Sequence, residues 1–170
     1  MHRDGSTGCR STGWDRLRAA LLAADSATAL LEAWTGGPIR IRRLAGAPSD
    51  PPHLRAALGL GPNAPLAYRR VALLRGETLL SEAENWFVPD RLDPRMQALL
   101  RDSDVPFGRV VAPLGPRRQM LECGLFATPP ASPALCLSAL VRDRAGTALA
   151  MVNERYGTAL LGFLPQETLA

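Results

Sequence analysis

The chain has 170 residues, of which 46% are hydrophobic and 21% charged, so it is long enough for one domain with a sizeable core. All 20 basic residues are arginine, and the absence of lysine excludes Schiff-base chemistry and a phosphate-loop nucleotide site. The two histidines, His2 and His53, are too few for a multi-histidine metal site and leave one poor candidate base for a catalytic triad.

The first 13 residues are polar, which predicts a flexible tail at 1–13 ahead of a single domain at 14–170. Three cysteines, Cys9, Cys123 and Cys136, are odd in number and lack the paired spacing of a metal site, so we expect a cytoplasmic location and no metal. No apolar run approaches the roughly 20 residues of a membrane span. The net charge of +4 comes from scattered arginines, which favours small anions over nucleic acid or membrane as partners.

Two short helices are predicted near the N-terminus, followed by a strand and a third helix. Residues 14–24 have apolar side chains at helical spacing. Asp25-Ser26 is a typical N-cap for a second helix, which ends at Gly36-Gly37. The stretch 38–44 alternates isoleucine with arginine, which predicts a half-buried strand, and a short helix ends at Leu58.

The rest of the chain is predicted to be mostly β-structure. Further strands are expected at 67–74, 78–88, 109–112, 117–126, 136–142 and 147–158. Asp93-Pro94 begins one more helix, and Thr128–Pro133 is expected to be a loop. This order of elements indicates an α+β fold with a single antiparallel β-sheet of about six strands and helices covering one face.

Charged side chains interrupt apolar faces on two predicted strands. In 67–74 each face carries one arginine, Arg69 or Arg70, and Glu154 shares a face with small apolar residues in 147–158. A covered Arg and Glu on neighbouring strands would pair with each other as a structural ion pair. Alternatively, they lie at opposite ends of a cavity, where Arg binds a carboxylate and Glu meets a hydroxyl or donates a proton.

Other candidates for chemistry are weaker. Glu82 and Glu84 share a strand face and are similar to a glycosidase pair, but such an arrangement is more typical of a solvated rim. Ser81 and Ser138 have no histidine partner in reach. The sequence therefore offers the Arg–Glu combination as its main candidate site.

Four segments follow one another along the chain: Asp25-Ser26-Ala27-Thr28 before Leu31-Glu32, Arg69-Arg70-Val71 before a glycine-turn hairpin, Val105-Pro106-Phe107-Gly108-Arg109, and Gly146 followed by Glu154. Together they resemble the chorismate pyruvate-lyase family, also called 4-hydroxybenzoate synthase, in a lyase-like branch. The resemblance covers about 14–160 and implies a chorismate lyase-like fold. Position 27 is Ala where the best-known members have Met, which removes an apolar wall from the expected cavity.

The resemblance implies a cofactor-free enzyme that eliminates pyruvate from chorismate to give 4-hydroxybenzoate, as in ubiquinone biosynthesis. Arg69 would hold the ring carboxylate, helped by the backbone N–H groups of Ala27 and Phe107. Glu154 would meet the ring oxygen as an acid or hydrogen-bond partner, and Thr28 would belong to the same substrate-binding set. Arg70 remains an alternative to Arg69 as the arginine that binds the ligand.

Two other functions remain open. A domain of the same fold could bind or sense a small aromatic carboxylate without turnover, as effector domains of some bacterial transcription regulators do. The 13 residues before the first helix are too few for a winged-helix DNA-binding segment. A lyase relative acting on modified chorismate is the other alternative. In every case the expected partner is a small molecule, and a monomer is compatible with the sequence.

Overall fold

The computed structural model describes residues 12–126 and 133–165. Its helices are α1 (Gly13–Ala23), α2 (Ala27–Thr35), α3 (Leu54–Ala57), α4 (Pro94–Asp102) and α5 (Phe107–Val111). Its strands are β1 (Arg40–Arg43), β2 (Ala67–Arg75), β3 (Thr78–Phe87), β4 (Arg117–Phe126), β5 (Ala134–Arg142) and β6 (Ala148–Tyr156). The predicted α+β class is confirmed.

The six strands form one antiparallel sheet in the order β1-β2-β3-β6-β5-β4. Register pairs Val71 with Ala83, Ala83 with Glu154, and Glu154 with Leu137, so these side chains form one row across the sheet. The adjacent row on the same face contains Arg69, Asn85, Val152 and Ala139. We call this the inner face and the opposite side the outer face.

Helices α1, α2, α4 and α5 pack on the inner face, in two apolar clusters. Leu17, Leu21 and Leu31 are fully buried in the first cluster, where α1 and α2 meet the middle of the sheet. In the second cluster, Leu100 and Val111 place α4 and α5 beside them. Burial of these side chains drives docking of short helices that would be marginal alone.

Helix α3 differs from the expectation that helices cover one face, because it packs on the outer face. Leu54 and Leu58 bury there against Trp86, Leu140 and Met151. In the described part of the chain, no helix covers the remainder of the outer face. The space between helices and sheet therefore lies mainly on the inner face.

The strand expected at 109–112 is wrong, because these residues continue α5 and a 3₁₀ turn at Ala112–Leu114. Val110 and Val111 favour a strand by propensity, but both bury helically against the second cluster. Pro106 precedes the helix and Pro113 removes a backbone donor, which leaves too short a segment to join a ladder.

The helix ends follow the sequence signals closely. The Ser26 hydroxyl accepts from the backbone N–H of Ala29, and Gly36 ends α2 in the left-handed conformation at φ 67°. Asp93 caps α4 in the same manner. Residues 1–11 of the predicted tail, including Cys9, and 128–132 of the predicted loop lie outside the described residues. Within the described ranges, no helix is long and apolar enough to cross a bilayer.

Candidate functional site

A cavity of about 60 Å³ lies between the inner face and the N-terminal ends of α2 and α5. Its apolar walls include Val71, Leu73, Phe107, Val111, Val141 and Val152. Its polar walls include Ser26, Thr28, Asn85, Arg118 and Glu154. A largely apolar chamber with a few polar groups is the usual form of a small-molecule site.

The first turns of α2 and α5 approach each other closely at the mouth of this cavity. A Cβ atom on Gly108 would lie 3.2 Å from the Ser26 hydroxyl oxygen and 4.0 Å from that of Thr28. Only a residue without a side chain permits this spacing without displacing a neighbour. Because Ala27 and Phe107 are the first residues of their helices, their backbone N–H groups have no intrahelical acceptor.

Arg118 and Glu154 form an ion pair between their Nη2 and Oε2 atoms in the cavity wall, and their side chains are only 6% and 13% exposed. Burial acts to lower the pKa of Arg118, but the charge of Glu154 and the hydrogen bonds with Glu154 and Tyr156 outweigh it and raise that pKa. Burial, followed by the Glu154 charge, also raises the pKa of the Tyr156 hydroxyl well above its ordinary value. The cluster therefore holds a charged arginine and a neutral tyrosine at ordinary pH.

Arg69 is 4% exposed on the inner face of β2. Its Nη2 donates to the backbone oxygen of Val105 at 2.7 Å, whereas Nε and Nη1 are buried with no hydrogen-bond partner among the described residues. Burial and repulsion from Arg43 lower its pKa to about 10, against an opposing effect of Asp104. Arg69 thus remains a cation at neutral pH, and no described carboxylate lies within ion-pair distance of it.

Four residues predicted from the sequence line the cavity together: Ala27, Thr28, Phe107 and Glu154. Arg69 lies just beyond it, paired in register with Asn85, which does line the cavity. The alternative, Arg70, lies on the outer face in an ion pair with Glu82 at 2.8 Å.

The expectation that the covered Arg and Glu lie on neighbouring strands is wrong, because β3 separates β2 from β6. The Cα atoms of Arg69 and Glu154 are separated by two strand spacings across the sheet and by two residues along the strand. Together these distances amount to about 12 Å. Glu154 instead pairs with Arg118 on β4.

Sequence reasoning missed Arg118 and Asn85. Both follow from strand alternation once the register is known, because Asn85 pairs with Arg69 and with Val152 on the inner face. For Arg118, strand alternation alone is a weaker guide. A register shift between Met120 and Glu122 changes which residues of β4 face the inner side of the sheet.

The carboxylates of Glu82 and Glu84 behave as a solvated rim on the outer face. Glu82 pairs with Arg70, and Glu84 accepts a hydrogen bond of 2.6 Å from the Tyr68 hydroxyl. Burial and this contact raise the pKa of Tyr68 to about 12. Both carboxylates are thus held by neighbours on β2, away from the inner cavity. Among the described residues, no group of His, Cys, Asp and Glu has the composition to hold a metal ion.

No model of a known protein family matches the chain. An uncharacterized protein, y4mC of Sinorhizobium fredii (strain NBRC 101917 / NGR234), is 39% identical over 124 residues, which cover 66% of this chain and 52% of that protein. The chain therefore spans about half the length of this curated relative.

Solved structures with the same fold come from bacterial regulators. PhnF from Mycobacterium smegmatis gives a TM-score of 0.59 at 16% identity, over 88% of this chain and 71% of that one. The separately solved effector domain of PhnF gives a TM-score of 0.57 at 16% identity, over 79% of this chain and 89% of that one. A third structure is the ligand-binding domain of a Bordetella bronchiseptica protein assigned to the GntR family of transcriptional regulators. It gives a TM-score of 0.50 at 17% identity, over 71% of this chain and 85% of that one.

These similarities confirm the predicted chorismate lyase-like fold. They overturn the expected membership of the chorismate pyruvate-lyase family, since the neighbours are effector and ligand-binding domains of regulators rather than lyases. The expectation of an enzyme, and with it chorismate, pyruvate release, 4-hydroxybenzoate and ubiquinone biosynthesis, is wrong on the same finding.

Proposed function

We propose that this domain binds a small carboxylate-bearing molecule in the inner cavity and does not convert it. The observation that carries the proposal is Arg69, a buried cation whose Nε and Nη1 have no hydrogen-bond partner and whose guanidinium has no carboxylate partner among the described residues. A buried guanidinium with unpaired N–H groups has a high free-energy cost unless an anion or another hydrogen-bond acceptor binds to it. A ligand carboxylate seated over Asn85 would supply that anion by parallel hydrogen bonds.

The other cavity residues have complementary roles in this proposal. The backbone N–H groups of Ala27 and Phe107 would donate to the same carboxylate. Thr28, buried in the wall beside them, would limit the width of the site and offer a hydroxyl. Glu154 bounds the opposite end of the cavity. The apolar walls between these ends would contact the body of the ligand.

Cavity volume limits the size of the ligand. About 60 Å³ holds about two water molecules at roughly 30 Å³ each, whereas a cavity of roughly 150 Å³ accommodates benzene. Butyrate has six non-hydrogen atoms, as benzene does, so even a short aliphatic acid requires the cavity to widen. An aromatic carboxylate requires α2 to move away from the sheet.

A sensing role follows from the regulator domains that share the fold, since one of them is an effector domain and another a ligand-binding domain. In this proposal, binding between α2, α5 and the sheet would order the first turns of both helices. That change is the signal the domain would pass to a partner. In this proposal Arg69 and Glu154 recognise the ligand, and the ligand leaves unchanged.

The experiment is calorimetric titration of the purified chain with butyrate and with benzoate, followed by recovery of each acid. We expect saturable binding of butyrate, weaker or slower binding of benzoate, and both acids recovered unchanged by NMR. Arg69→Met should reduce binding at least tenfold, because it removes the only unpaired buried cation described beside the cavity. Arg70→Met is the matched control, one residue away on the outer face, and should bind normally.

The proposal fails if neither acid binds to the folded wild-type chain. It also fails if Arg69→Met binds as tightly as the wild type. Thermal unfolding of both variants shows whether a lost signal reflects lost folding.

A further inference from the structure

A second concavity lies on the outer face of the sheet, beside the part that α3 covers, and we call it the outer trough. Its volume is about 800 Å³, within the range of roughly 300–1,000 Å³ that is typical of small-molecule sites. One wall is the segment 51–53 before α3, and the other is formed by Leu121 and Phe126 of β4. The sheet separates this trough from the inner cavity, so a ligand here would bind independently of an acid bound there.

The floor of the outer trough is a row of polar side chains from four strands. Register pairs Glu84 with Asn153, Asn153 with Ser138, and Ser138 with Glu122. Arg155 follows Asn153 by two residues on β6 and lines the same trough. Neither Arg155 nor Glu122 forms an ion pair within the described ranges. The floor therefore offers both donors and acceptors to a ligand.

Asn153 has hydrogen-bonding capacity that the described residues do not use. Its Oδ1 atom is buried and lacks a hydrogen-bond partner among them. An unpaired buried acceptor has a free-energy cost. Because the torsion that turns a side-chain amide is broad, the amide can rotate toward the trough. A ligand hydroxyl that donates to it there would remove this cost.

Phe126 forms an aromatic wall at the end of this floor. A Cβ atom on Gly124 would lie 2.9 Å from Cε2 and 3.2 Å from Cζ of Phe126, so the ring lies against the backbone of Gly124. A residue with a side chain at 124 would push the ring away. Phe126 is nevertheless 60% exposed, which leaves much of the ring available to a ligand in the trough. The face of an aromatic ring is electron-rich and attracts C–H groups that carry a partial positive charge.

We propose that the outer trough binds a neutral oligosaccharide of about disaccharide size, with one sugar ring against Phe126 and hydroxyl groups on the polar row. A sugar ring combines a face of C–H groups with hydroxyl groups at its rim. Each hydroxyl both donates and accepts, so it suits a floor on which donors and acceptors are mixed. This inference does not depend on the acid site of the inner cavity.

Charges along the trough favour a neutral ligand. Arg70 is paired with Glu82, which leaves the guanidinium of Arg155 and the carboxylates of Glu84 and Glu122. Arg155 and Glu122 are separated by two strand spacings and two residues along the strand, so their Cα atoms lie about 12 Å apart. A charged ligand that spans the trough would meet a like charge at one end. A polyol instead donates to the carboxylates and accepts from Arg155.

A peptide fits the outer trough less well than a saccharide does. Extended peptides bind to sheets by adding a strand at an edge, through backbone hydrogen bonds. Three of the strands below the trough, β3, β6 and β5, are already paired on both sides. A ligand here therefore contacts side chains, which favours one that carries many hydroxyl groups over one whose polar groups lie mainly in its backbone.

The test is a saturation-transfer NMR titration of the whole chain with maltose, cellobiose and N,N′-diacetylchitobiose. We expect saturable binding of at least one of them. Phe126→Tyr keeps the ring and should bind as the wild type does, whereas Phe126→Ala should bind roughly fivefold more weakly or worse. Gly124→Ala should weaken binding as well, because its Cβ displaces the ring. Asn153→Leu keeps the volume but removes the amide, and should also bind more weakly.

The matched control is Leu22→Ala, which removes a side chain that is 46% exposed on α1, outside the trough, and should bind the disaccharides normally. Butyrate binding should be unchanged in Phe126→Ala, because Phe126 does not line the inner cavity. Absence of saturable binding by all three disaccharides would overturn the inference, whatever the result with butyrate. Equal binding by Phe126→Ala and the wild type would also overturn it. Preference for adenosine monophosphate over every disaccharide would do the same, since it would indicate a nucleotide site.

Discussion

Glu32 on α2 and Arg109 on α5 form an ion pair that joins the two helices whose first turns enclose the cavity. The same Glu32 carboxylate accepts the backbone N–H of Ile39 at 3.1 Å, which ties it to the residue before β1. One side chain therefore connects α2, α5 and the edge of the sheet. Because the helices themselves are short, this connection limits how far they separate.

Arg109→Gln should loosen the cover of the cavity. Arg109 is half exposed, so its ion pair contributes on the order of 0.5 kcal/mol to the free energy of unfolding. Ligand release should accelerate more than stability falls, because the pair directly restrains the mouth. Stopped-flow dissociation of a bound acid and thermal unfolding measure the two effects. Arg101→Gln, which removes an exposed pair within α4, should change neither. Unchanged release from Arg109→Gln would contradict the role of the pair.

Stability should depend on pH through Glu32. Burial alone would raise the pKa of this carboxyl, but the hydrogen bonds from Arg109 and Ile39 together lower it below its ordinary value of 4.5. A lowered pKa in the folded state means that the stabilisation is fully present above pH 4.5 and is lost as pH falls through the folded value. The difference in unfolding free energy between wild type and Glu32→Gln should be constant near neutral pH and shrink on acidification. Urea titrations from pH 7 to pH 3 measure it, and a difference that grows at low pH would refute the assignment.

Gly108→Ala should push the first turns of α2 and α5 apart. The new Cβ would lie 3.2 Å from the Ser26 hydroxyl oxygen, so the Ser26 side chain, or the helix that it caps, must move by a few tenths of an ångström. We expect a loss of roughly 1 kcal/mol in stability and weaker binding of short acids. Gly61→Ala is the control, since its Cβ would meet nothing within 4 Å. Equal behaviour of the two variants would show that the spacing at the mouth has no role in binding.

Local signals in the sequence predicted most elements of the fold. Ser26 and Asp93 cap the helices as expected, and strand alternation placed Glu154 on the covered face. Propensity failed at Val110 and Val111, because burial against distant strands decides their conformation. The sequence predicted helix α3 but not the face of the sheet on which it packs. That face depends on contact with Trp86, which is far along the chain.

The sequence predicted four of the residues that line the cavity, but not the contacts that they make. Ala27, Thr28, Phe107 and Glu154 line one cavity, whereas the partner of Glu154 was missed. That partner is Arg118, and the pairing depends on strand order: β6 lies between β3 and β5, with β4 at the edge. Strand order is a non-local property that alternation within single strands does not contain.

Ala27→Met should fill the cavity from above. Ala27 is buried in its wall, and the longer side chain adds three non-hydrogen atoms to a space that holds about two waters at roughly 30 Å³ each. Methionine adapts its shape, so the cost in stability should stay within the roughly 1–3 kcal/mol typical of added core atoms. Binding of butyrate should weaken at least tenfold, as calorimetry would show. Ala33→Met adds the same atoms to the exposed side of α2 and should bind normally. Full butyrate affinity in Ala27→Met would place the ligand outside this cavity.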